Sequence, residues 1–118
     1  MKSKDVEKYE ELRSKLVSLK KDIALLSAKK PNEALNEFKL NMINKVLSQT
    51  NELIGDFKPE DDFDVFDSVS MPTNSDVLMV LNLYLTGMTR FKEANSVLKP
   101  SQNSFCSEFS SKVWDIKD

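Results

Sequence analysis

Histidine is absent from the 118-residue chain, and cysteine occurs once, as Cys106. The first absence removes the commonest metal ligand and the side chain that most often serves as a general base near neutral pH. The second excludes an internal disulfide and every zinc site built on paired cysteines. Cys106 reads as a small half-buried hydrophobe rather than a reactive thiol. Glycine (2) and proline (4) are also scarce, which argues against a β-sandwich or barrel, folds that need many tight turns. No apolar run approaches the roughly 18 residues of a membrane span. The opening MKSKDVEKYEELRSK lacks the hydrophobic stretch of a secretory signal, and a cytoplasmic location is expected. There is no P-loop, no G-x-G-x-x-G and no G-x-S-x-G. Neither a cofactor nor an enzyme activity is therefore expected.

What is present suits a soluble helical protein: 40% hydrophobic and 31% charged residues in a length that fits one domain, 1–118. The net charge of −2 is unevenly placed. Residues 1–54 carry 11 Lys/Arg against 8 Asp/Glu, and residues 55–118 carry 6 against 11. The halves attract weakly, and neither is basic enough to argue for nucleic acid by itself.

Tyr9, Leu12, Leu16, Leu19, Ile23 and Leu26 recur at alternating steps of three and four. This a/d stripe predicts a helix over about 3–29 with a narrow seam. Pro31 disfavours helix at Lys30 and suits the first turn of a second helix, about 32–54. That helix carries two adjacent stripes, Leu35/Phe38/Met42/Val46/Leu53 and Leu40/Ile43/Leu47/Ile54, a face wide enough for two neighbours. Gly55 is placed to end it. So short a connection predicts that the two helices fold back as an antiparallel hairpin.

A third helix is expected over about 75–98, on Val77, Leu81, Tyr84, Met88, Phe91 and Leu98. It is the most apolar and is expected in the middle of the bundle. Asn95 interrupts its stripe as a register-setting polar residue would. Asn74 or Ser75 is the expected N-cap, with Asp76 in the first turn. Gly87 costs about 1 kcal/mol of helix propensity against alanine, and a close crossing would account for it. A short last helix, about 104–116, would place Phe105, Phe109, Val113 and Ile116 on one side. The predicted fold class is all-α, an elongated helical bundle on an N-terminal hairpin.

Between the second and third helices lies an acidic connector, 56–72, containing PEDDFDVFDSVSM. It is no EF-hand loop: Asp62 and Asp64 match the first two ligand positions, but Phe66 holds the third and Thr73 the twelfth. Acids alternating with Phe63, Val65 and Phe66 resemble in composition segments that dock into lysine-rimmed grooves. In that reading Phe63 and Phe66 are anchors and Asp61, Asp62 and Asp64 steering charges. Turned inward, the same phenylalanines would instead clasp the connector to its own bundle.

The expected function is a small non-enzymatic protein-interaction module, an adaptor, assembly factor or inhibitor of a larger protein, with homodimer formation through the helix faces. Its general character fits a phage or mobile-element accessory protein. A nucleic-acid-binding protein using the lysines of the first two helices, or a purely structural homo-oligomer, are the alternatives. The lysines are interleaved with acids and lack an aromatic stacking platform, which weighs against nucleic acid.

Overall fold

The first helix breaks just before Pro31 and the second ends at Gly55, as expected, but Pro31 lies in the turn ahead of the second helix rather than in its first turn. In the computed structural model, which describes residues 1–100 and 110–117, the helices are α1 (Ser3–Lys29), α2 (Glu37–Ile54) and α3 (Asn74–Ala94). The second helix begins five residues later than its period implies. Residues 31–35 form a turn instead, and Asn36 caps α2 by accepting the Lys39 amide at 2.9 Å. At the other end Gly55 adopts φ +52°, a backbone that glycine reaches without the Cβ penalty. A single 3-10 turn (Gly55–Phe57) then leads into the connector.

The molecule is a three-helix bundle, elongated at 55 × 29 × 21 Å. Tyr9 of α1 stacks near Phe91 at the end of α3, with ring centroids 6.0 Å apart, while Asn74 at the start of α3 donates to the Lys30 carbonyl at 2.9 Å. Residues 14–19 of α1 face residues 42–49 of α2. Thus α2 and α3 both run antiparallel to α1, and the expected N-terminal hairpin is present. The middle of the bundle is α1 rather than the more apolar α3. It packs along both other helices, which share little direct contact. The core is Tyr9, Leu12, Leu16 and Ile23 of α1, Leu35 of the α1/α2 turn, Leu40, Ile43, Leu47 and Ile54 of α2, and Val77, Leu81, Tyr84, Met88 and Phe91 of α3.

Two parallel helices joined in sequence require a return crossing, and residues 58–73 make it. Held successively against Asn51 and Asn44 of α2 and then Leu35 of the α1/α2 turn, they travel back along the α2/α3 side. They close the far end by pairing with the α1/α2 turn. The Leu35 amide donates to the Pro72 carbonyl (3.0 Å), the Asn74 amide to Glu33 (2.9 Å) and the Ser75 amide to Pro31 (3.1 Å).

Three local expectations are corrected. The N-cap of α3 is Thr73, one residue early, in a reciprocal capping box with Asp76. Asn74 is buried because its side chain bonds the Lys30 carbonyl. The third helix stops at Ala94, and Asn95 caps its end through a 2.9 Å bond from Nδ2 to the Phe91 carbonyl, so it sets no helix register. Beyond it β1 (Ser96–Pro100) pairs antiparallel with β2 (Ser110–Trp114), Val97 opposite Val113. The expected last helix is thus a strand where it is described; its residues 104–109, with Phe105, Cys106 and Phe109, lie outside the described residues. The reason is period. In a strand successive side chains alternate, so Trp114 turns onto Tyr9 at 4.9 Å while Val113 stands exposed.

Candidate functional site

The connector is a strap, and asparagines on α2 hold it. Asn44 takes both main-chain groups of one residue: the Phe66 amide donates to its Oδ1 at 2.9 Å, and its Nδ2 donates to the Phe66 carbonyl at 2.8 Å. Asn51, two turns further on the same face, donates to the Asp64 carbonyl at 2.8 Å. The hydroxyl of Tyr84 on α3 donates to Asn51 Oδ1 at 2.7 Å, which aims the amide nitrogen at the strap.

Phe63 and Phe66 turn inward. Their rings meet edge to face with centroids 5.1 Å apart, Phe63 packs on Tyr84 at 6.3 Å, and both half-buried rings lie against the core. As exposed anchors for a partner they are therefore corrected: burying the two rings fills the gap that α2 and α3 leave between them. Asp61 and Asp62 stand exposed, and Asp64, also exposed, is paired with Lys58. The strap's outer surface carries Val65, Val69 (84% exposed) and Met71. The carboxylates share no common centre. Among the described residues no three side chains of the histidine, cysteine or acid type are grouped as a metal ion requires.

Burial raises the pKa of the Tyr84 phenol, with the Asn51 hydrogen bond acting in the opposite direction, and burial likewise raises Tyr9. A raised folded-state value contributes stability that is fully present below the unfolded phenol's pKa of about 10 and is lost as pH rises through the folded value. Tyrosine absorbance at 295 nm should therefore stay flat past pH 10 until the helical circular dichroism falls. Tyr84→Phe should cost about 1 kcal/mol at pH 8 through the lost hydrogen bond, yet show a shallower alkaline decline than the unmodified protein. Equal slopes in the two proteins would contradict the assignment.

The second surface was only half visible in the sequence. Of the two apolar stripes on α2, Leu40/Ile43/Leu47/Ile54 is core, whereas Phe38 and Met42 are 73% and 52% exposed. Val46 and Leu53 of that outer stripe are half-buried, as are Leu19 and Leu26 of the α1 seam. Between α1 and α2 lies an open groove of about 410 Å³, floored by Leu19, Met42 and Val46 and rimmed by Ser14, Lys15, Lys45 and Gln49. The width of the apolar face on α2 was the signal; which stripe would face out was not in it. The cations nearby are ordinary surface charges: Lys15 pairs with Glu11 at 3.0 Å and Lys30 with Glu33 at 3.4 Å. Among the described residues, no helix is long and apolar enough to cross a membrane.

No family model, no curated protein and no solved structure matches this chain.

Proposed function

We propose that this is a non-enzymatic protein-interaction module whose docking surface is the outer face of the α1/α2 hairpin, and that the face pairs with a second copy of the chain. The observation that carries the reading is the exposure of Phe38 and Met42 beside half-buried Leu19, Leu26 and Val46. Scattered exposed apolar residues are normal, but a contiguous strip along two helices is the mark of an interface.

Self-pairing follows from the shape and charge of the strip. Phe38 is a protruding ring on the same helix as the groove's floor residues Met42 and Val46, one and two turns away. About a two-fold axis each copy offers a ring and receives one, and the two hairpins together form a four-helix arrangement. The flanking charges are of both signs, Glu11 and Asp22 with Lys15 and Lys45, so like charges need not be opposed.

Sedimentation equilibrium at about 100 µM, a concentration that populates dimers of micromolar Kd, should give twice the chain mass. The variant carrying Phe38→Ser and Met42→Ser should give the single-chain mass with unchanged helical circular dichroism, because both side chains are already in water in the isolated chain. An unmodified protein that stays monomeric there would overturn self-pairing.

A further inference from the structure

We propose that the groove between α2 and α3 is a binding site for an extended peptide, held shut in the isolated chain by residues 63–66, and that its ligand is a segment of another protein with two phenylalanines three residues apart. The strap itself shows what the groove accepts. Three of its main-chain groups, the Phe66 amide and carbonyl and the Asp64 carbonyl, are bonded by Asn44 and Asn51. Such bonds hold a backbone whatever its side chains are. Selectivity comes from the rings: Phe63 and Phe66 point in, while Asp64 and Val65 between them are exposed. Main-chain hydrogen bonds combined with pockets for chosen side chains are how extended peptides are recognised in general.

The polar groups of the groove are fixed by its own walls. Asn44 and Asn51 are seven residues apart, two turns of one helix face, and Tyr84 orients the second of them from the opposite wall. Its present occupant is packed on the core but not enclosed by it: Phe63 and Phe66 are half-buried, and between residues 58 and 71 no described residue is fully buried. Segments without a fully buried residue open more readily than the core they cover. Tethering nevertheless gives the strap a millimolar effective concentration, so a free peptide competes poorly until the strap lets go.

The test empties the groove. The full-length chain carrying Phe63→Ser and Phe66→Ser is titrated against a fluorescein-labelled peptide of residues 59–71, read by anisotropy. Saturable binding is expected, at least tenfold tighter than to the unmodified protein. Adding Asn44→Ala should weaken it at least tenfold, and a peptide with both phenylalanines replaced by serine should not bind. No saturable binding to a variant that keeps its helical circular dichroism would overturn the proposal, as would binding indifferent to Asn44→Ala. If the double variant loses its helices, Phe66→Ala alone takes its place. Loss of fold in that variant too would also overturn the proposal, since a groove that cannot empty without unfolding cannot take a partner. The site lies on a different side of α2 from Phe38 and Met42, so its failure leaves the reading of the α1/α2 face untouched.

Discussion

Leu16→Ala should destabilise the protein by about 3 kcal/mol, and Leu19→Ala, one step along the same heptad seam, by less than half of that. Leu16 is fully buried in the core, at 0% exposure, whereas Leu19 is half-buried at the edge of the open α1/α2 groove. Truncating Leu16 removes apolar atoms from a closed site and leaves a cavity that the surrounding core cannot fully close. At Leu19 water already reaches the side chain, and the space left is open to solvent. Urea unfolding of both variants, at a concentration low enough to keep the chain monomeric, measures the difference. Equal losses would mean that the groove is covered in the isolated molecule. Under the proposed self-pairing the same Leu19→Ala variant should also weaken association, because this side chain would then belong to the covered floor.

Gly87→Ala should also destabilise, by about 2 kcal/mol, although alanine is the better helix former by about 1 kcal/mol. A Cβ at position 87 would stand 2.6 Å from the carbonyl oxygen of Phe57, a separation that real Cβ atoms essentially never show. The clash is with backbone, and that backbone is not free to yield. The Lys58 amide closes the turn onto the Gly55 carbonyl at 3.1 Å, and the Phe57 ring packs edge to face on Phe91 at 6.0 Å. Gly55→Ala is the informative control. Nothing lies within 4 Å of its would-be Cβ, but its φ of +52° makes a side chain unfavourable by about 1 kcal/mol. One glycine is thus required by a neighbour and the other by its own dihedral. A Gly87→Ala variant with a higher urea midpoint than the unmodified protein would show that the turn shifts freely, and the account of this contact would be wrong.

Much of the fold was legible because its causes are local. The 3–4 spacing from Tyr9 to Leu26 acts over successive turns of one helix, and it placed α1 where the structure has it. Pro31 and Gly55 act through their own dihedrals and placed the breaks. The acids of the connector marked a segment without an α-helix of its own. The errors share one cause. Val97 and Leu98 continue the stripe of α3 as well as they make a strand, and what decides between the two is pairing with Val113 and Lys112, some fifteen residues away. Thr73 and Asn74 are both good caps. Thr73 takes the role because Asn74 is needed at the Lys30 carbonyl, 44 residues distant in sequence.

The candidate site divides in the same way. Sequence pattern was enough to single out Phe63 and Phe66, since two large rings among acids on a connector must either leave the protein or enter it. It was also enough to show that α2 has more apolar surface than one neighbour can cover. Which way the rings turn was settled by Asn44 and Asn51, whose amides are unremarkable polar residues until the strap is laid beside them, 22 and 13 residues away along the chain. Which stripe of α2 stays in water was settled by the placement of α1 between its two neighbours. The amino-acid sequence alone therefore determined the helices, their breaks and the residues with surplus apolar surface, all of which follow from dihedral preferences and from periods within a few residues. Only the tertiary structure decided which of those surfaces meet one another, because that depends on contacts between segments whose separation in sequence carries no local signal.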